Sequence, residues 1–171
     1  VISSAASDVY KRQIEGSRPV LVEIEALVAP STLASPRRNV VGWDGSRLAM
    51  LTAVLEARCG VPLSGRDIFL NVAGGLKISE TAADLAVAAA LISSVSGRPA
   101  PPRSVFFGEV ALSAELRQVA QADARLKEAA KLGFDMAVMP KPRKKLGAPS
   151  GLSIAQPSTL AELIEIMGGV T

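Results

Sequence analysis

Few residue types in this 171-residue chain can carry chemistry, and the sequence contains no histidine. That removes histidine-based triads and most zinc sites. The remaining candidates are carboxylates, serines and basic residues. Glu80 and Asp84 fall four apart, on one face of a helix start, as a paired-carboxylate acid–base site requires. Acidic groups there also favour the helix dipole, and the cap reading outweighs the catalytic one. The serines lack a histidine base, which leaves only a Ser–Lys pairing with the lysine's pKa lowered by burial. The lysines mostly sit in polar stretches, which argues against that. Cys59 stands without a metal or base partner and reads as a packing residue. Ala73–Leu76 (AGGL) is neither a P-loop nor a dinucleotide fingerprint, and its glycines read as a turn. The best binding candidate is the basic loop Lys141, Arg143, Lys144 and Lys145, together with Arg37 and Arg38. Such cations bind phosphates by releasing counterions. No aromatic residues are interleaved there, so base stacking is not supported.

These residues need elements to position them. Ile68–Ala73 is a short β-prone apolar run that breaks at Gly74-Gly75 and reads as a buried strand. Thr81 to Asp84 (TAAD) is a capping-box-like start, with Thr81 accepting from the Asp84 N–H and the Asp84 carboxylate reaching back. Leu85 to Ile92 follows, apolar on nearly every face and rich in alanine, as a buried central helix requires. Earlier, Arg18–Pro30 alternates as a long strand, Ser31–Pro36 is a small-residue loop, and Arg37–Gly42 is a second strand. Asp44 to Ser46 offers caps for a helix with Leu48, Leu51, Val54 and Leu55 on one stripe, ending near Cys59-Gly60. Later, Ser96–Arg103 is a surface loop, Val105–Leu112 is strand-like and Glu115–Val119 pairs back with it. Asp123 caps a helix through Leu132 with Leu126, Ala129 and Ala130 inward, and Met136–Met139 is a short buried strand. A C-terminal helix runs from Ser158 to about Met167. Strands and helices mix without a βαβ rhythm or a repeat, so the expectation is one α+β domain with the central buried helix packed on a sheet.

Composition agrees. A hydrophobic content of 49% supports one sizeable core, and a net charge of +3 permits contact with polyanions without demanding it. No apolar run reaches membrane-spanning length, so no membrane partner is expected. A lone cysteine cannot form an internal disulfide and fits a reducing, cytoplasmic compartment. Residues 1–13 read differently. They lack a clear period, and Asp8 to Gln13 (DVYKRQ) matches the translation of a common sequencing adapter. They are set aside from the fold as a non-native leader, with a short genuine arm as the competing reading, and residues 14–171 are taken as the domain. On the leader reading, the natural protein extends upstream.

Asn71–Gly75 (NVAGG), Ile78–Glu80 (ISE) and Ala83–Ala86 (ADLA) resemble the C-terminal domain of the RadA (Sms) family of bacterial DNA-repair proteins. Glu15–Pro19 (EGSRP), Leu48–Leu51 (LAML), Gly108-Glu109 and Arg125–Gly133 (RLKEAAKLG) fit the same family, in order, from about Ile14 to the end. That domain is similar to the proteolytic domain of Lon, an ATP-dependent protease with a serine–lysine dyad. Aligning the central helices puts Ala82 at the serine position, and counting from Gly108-Glu109 puts Asp123 at the lysine position. A methyl group cannot attack a carbonyl, and an aspartate cannot replace the lysine. The resemblance therefore implies an inherited fold without the protease.

For the parent protein, the resemblance implies a hexameric, DNA-stimulated ATPase acting in branch migration during homologous recombination, alongside the recombinase machinery. Its zinc finger and ATPase core would lie upstream, so ATP, Mg and Zn are expected there and no cofactor here. This domain is then a non-enzymatic ring scaffold that contacts DNA, single-stranded or branched. Two alternatives stay open: a residual peptidase using Ser79 with Lys77, and a pure oligomerisation scaffold.

Overall fold

The computed structural model describes residues 7–15 and 18–170. Its frame is a seven-stranded mixed sheet in the order β3-β4-β2-β1-β5-β8-β9. The strands are β1 (Ser7–Glu15), β2 (Arg18–Pro30), β3 (Arg38–Val41), β4 (Arg66–Val72), β5 (Ser104–Phe106), β8 (Met136–Val138) and β9 (Ser153–Ala155). A small hairpin, β6 (Glu109–Val110) with β7 (Leu116–Arg117), stands apart from it. β1 pairs antiparallel with β2 and parallel with β5, so residues 7–13, set aside in the sequence reading, lie in the middle of the sheet. β9 is a second strand that the residue pattern did not indicate.

Helices α1 (Gly45–Cys59), α2 (Asp84–Ser96) and α4 (Leu160–Ile166) share one core with the inward side of β2 and β4. The alternation of β2 is as the sequence implied: Val22, Ile24, Ala26 and Val28 are buried. α2 buries ten consecutive residues, Asp84 to Ser93. Alanine at Ala86, Ala88, Ala89 and Ala90 lets the sheet and helices approach α2 closely. Its larger members, Leu85, Leu91 and Ile92, each contribute about 1.5–3 kcal/mol by leaving water. α3 (Ala122–Lys131) sits on the other face, where Leu126 and Ala129 pack with Val105, Phe107, Ala137 and Met139. The molecule is the expected mixed α+β domain with a central buried helix on a sheet.

Three local expectations are corrected. Thr81 and Asp84 form no capping box: Thr81–Ala83 is a 3-10 turn whose Thr81 carbonyl accepts from the Asp84 N–H. The Asp84 side chain turns to long-range partners, because a fully buried carboxylate needs stronger donors than a helix end supplies. Asp123 does not cap α3. Gln121 occupies that position at φ 57°, and Asp123 lies in the first turn, paired with Lys127 at 2.7 Å. The run Val105–Leu112 is not one strand. It breaks after Phe106 because the Gly108 N–H donates to the Ala82 carbonyl and the Gly108 carbonyl accepts from the Leu85 N–H, each at 3.1 Å. A Cβ at Gly108 would meet Pro140 at 2.8 Å, so only glycine allows that approach.

Candidate functional site

The start of α2 is where charged side chains converge. Arg47, one turn into α1, places its guanidinium fork on both carboxylate oxygens of Asp84, with Nε to Oδ1 at 2.7 Å. Asp84 Oδ2 also accepts from the Val110 N–H at 2.9 Å. Burial pushes the Asp84 carboxyl above its ordinary range, while the Arg47 fork and the Val110 N–H pull it back. Asp84 in turn raises the Arg47 guanidinium. Glu109 stands 3.9 Å from both Arg47 and Arg117, and Thr81 donates its hydroxyl to Glu109 at 3.0 Å.

Glu80 and Asp84, adjacent in the sequence reading, are separated by their partners. Glu80 takes Arg125, with Nη2 to Oε2 at 2.8 Å, and Asp84 takes Arg47. Arg125 is 2% exposed, donates Nε to the Ala120 carbonyl at 3.1 Å, and lies over the Phe107 ring at 5.8 Å. Each carboxylate is therefore a structural anion held by its own arginine, an arrangement that locks elements together and leaves neither carboxylate as a ready base.

Ala82 is 2% exposed behind this network, and Asp123 lies on α3, tied to Lys127. Ser79 and Lys77 are both exposed and no hydrogen bond joins them. The burial that a lysine base needs is missing at Lys77. Among the described residues, no group of three or more cysteine or acidic side chains is placed to hold a metal ion.

The basic residues divide into two places. Arg37 and Arg38 lead into β3, at one edge of the sheet. Arg37 is tied to Asp67 through its backbone N–H at 2.7 Å and its guanidinium at 2.8 Å, and it lies 5.7 Å over the Phe69 ring. Those bonds hold the Asp67 carboxyl below its ordinary value, the Arg37 backbone N–H contributing most. Arg38 donates to the Arg66 carbonyl. Lys141 and Arg143 follow β8 near the other edge and line a groove of about 660 Å³ with Arg117, Gln118 and Glu109. Gln118 fixes the loop by donating to the Lys141 carbonyl at 2.8 Å. Arg117 belongs to this groove and was missed in the sequence, because it stands alone between Leu116 and Gln118.

Comparison with known proteins follows the same lines. The family model described as subunit ChlI of Mg-chelatase matches residues 46–143, more than half of the chain. DNA repair protein RadA of Brucella abortus (strain 2308) is 56% identical over 151 residues, 88% of this chain and 32% of that protein. DNA repair protein RadA of Rickettsia felis is 54% identical over 128 residues, 75% of this chain and 29% of that protein. The RadA of Pseudomonas aeruginosa is 48% identical over 153 residues, 90% of this chain and 34% of that protein. The chain thus belongs to the family described as subunit ChlI of Mg-chelatase and is a homologue of proteins named DNA repair protein RadA, of whose length it spans about a third.

Proposed function

We propose that this chain is the C-terminal, Lon-like part of a RadA-like DNA-repair protein: a non-proteolytic domain that scaffolds a hexameric ring and contacts DNA. The RadA relatives align over more of the chain than the ChlI model does, which favours DNA repair over a chelatase role. The observation that carries the non-proteolytic reading is Ala82, a buried methyl group at the dyad serine's place, with Asp123 engaged by Lys127 where the lysine would stand. In this reading ATP hydrolysis, its Mg and a Zn site belong to regions of the parent outside this chain. The parent acts in branch migration with the recombinase machinery.

DNA contact rests on the groove of Arg117, Lys141 and Arg143, continued by Lys144 and Lys145. Its cations can follow a phosphate backbone without reading bases. Arg37 and Arg38 form a lesser, separate contact, since Arg37 already answers Asp67. The test is fluorescence anisotropy of labelled single-stranded DNA against the whole chain across a salt series, because β1 lies inside the sheet and must be kept. Binding that weakens steeply with salt, and is lost on neutralising Lys141, Arg143, Lys144 and Lys145, supports the reading. Flat anisotropy at every salt replaces it with a scaffold that has no DNA affinity.

A further inference from the structure

A cleft of about 820 Å³ opens between the start of α1 and residues 76–81. Trp43, Met50 and Ile78 give it an apolar floor, and Lys77, Ser79 and Ser46 give it a polar rim. One wall is the segment Leu76–Glu80, extended at both ends, with Leu76 at φ −74°, ψ 149° and Glu80 at φ −82°, ψ 144°. Ile78 donates its N–H to the Gly42 carbonyl at 2.8 Å and is 4% exposed. Successive residues of an extended chain aim their backbone groups at opposite edges. The N–H and C=O groups of Lys77 and Ser79 therefore face away from Gly42, and among the described residues none of the four has a partner. Both residues are exposed on the cleft. An edge of unpaired donors and acceptors beside an apolar floor is a template for another strand.

We propose that the Lys77–Ser79 edge captures an extended peptide from a protein partner by strand addition, with acidic side chains of the peptide facing Lys77. The charge argument is local. Arg47 is committed to Asp84, and Asp44 accepts the Arg47 backbone N–H at 2.7 Å, which leaves the Lys77 ammonium as the uncommitted charge on the rim. A nucleic-acid strand fits less well, because the outward carbonyls of Lys77 and Ser79 repel phosphates while they accept from a peptide N–H. With a buried methyl at Ala82, the peptide is held and not cut. This surface is distinct from the 141–145 loop, so loss of DNA binding and loss of peptide binding are separate results.

The test uses the whole chain, ¹⁵N-labelled, with two capped pentapeptides, Val-Asp-Val-Asp-Val and Val-Lys-Val-Lys-Val, and an N-methylated copy of the first, each at about 1 mM. Hydrogen exchange is read at the Lys77, Ile78 and Ser79 amides. The acidic peptide is expected to slow exchange at Lys77 and Ser79 about tenfold, and the N-methylated copy to do nothing. Ser79→Pro, which deletes one outward N–H, abolishes the protection, Ser79→Ala keeps it, and Lys77→Glu switches preference to the lysine peptide. The Ile78 amide, bonded inward, reports the fold in every variant. If Ser79→Pro unfolds the segment, the N-methylated peptide and Ser79→Ala decide. The proposal is overturned by unchanged exchange at both outward amides with either peptide, by equal binding of the N-methylated copy, or by a single-stranded oligonucleotide that protects those amides and displaces the peptide.

Discussion

A guanidinium at 2% exposure is stable only where its donors find acceptors, and Arg125 uses its fork on Glu80, its Nε on Ala120 and its face on Phe107. Arg125→Ala leaves Glu80 without that partner and opens a void. It is expected to cost about 3–5 kcal/mol in urea denaturation, whereas a loss below about 1 kcal/mol would mark an ordinary surface pair. Asp67 sets the acid behaviour of the β3 entrance. Its carboxyl lies below the ordinary 3.8, first because of the Arg37 backbone N–H, then through Ser31 and the Arg37 guanidinium. A carboxyl lowered on folding adds stability above its unfolded value and loses it as pH falls from 3.8 through the folded value. Asp67→Asn should therefore melt below the wild type near neutrality, with the gap closing in acid below 3.8. A gap that stays constant throughout would mean that the charge contributes nothing. Asp84 works in the opposite sense. Its carboxyl is raised by burial, so its contribution declines as pH climbs from 3.8 through that raised value.

At the scale of elements, the connection from β3 into α1 is held by backbone geometry as much as by side chains. Gly42 sits at φ 83°, where an added Cβ would strike the Leu76 carbonyl oxygen and come within 2.7 Å of the Val72 Cβ. Gly45, three residues on, opens α1 with nothing within 4 Å of the same added atom and an ordinary φ. Gly42→Ala is expected to destabilise by about 2 kcal/mol or more, through strain and displacement of the 76–80 segment. Gly45→Ala should be neutral or stabilise by up to about 1 kcal/mol. Paired thermal melts decide, and equal effects at the two positions would refute the geometric account. The Asp44 cap needs no such geometry: its carboxylate accepts the Arg47 N–H at 2.7 Å, as its place before the helix implied.

For the molecule as a whole, sheet order separates the two basic clusters. β3 is the first strand and β8 the sixth, five spacings of about 4.8 Å, or roughly 24 Å. They cannot form one compact patch. Neutralising Lys141, Arg143, Lys144 and Lys145 together should reduce the slope of log affinity on log salt for single-stranded DNA by up to about 3, at about 0.7 per phosphate released. Neutralising Arg38 alone should move it by less than about 0.7. A larger effect at Arg38 than at the loop would reassign the DNA-facing side to the β3 edge.

The local pattern of the chain determined a good deal by itself. The alternation of β2, the stripe and cap of α1, the all-round apolar α2 and the basic 141–145 loop are short-range signals, and each stands where its residues indicated. The lack of histidine set the limits on chemistry before any coordinate was seen. Tertiary structure decided what depends on partners distant in sequence. The carboxylates of Glu80 and Asp84 look like a pair until Arg125 and Arg47, 45 and 37 residues away, divide them. The 105–112 run reads as one strand until Gly108 is needed to bond the start of α2. Arg117 joins the basic groove only because the β6–β7 hairpin brings it to the loop after β8. Propensity and period act over a few residues, whereas a buried charge or an open backbone edge is settled by whichever distant group the fold brings within hydrogen-bonding reach.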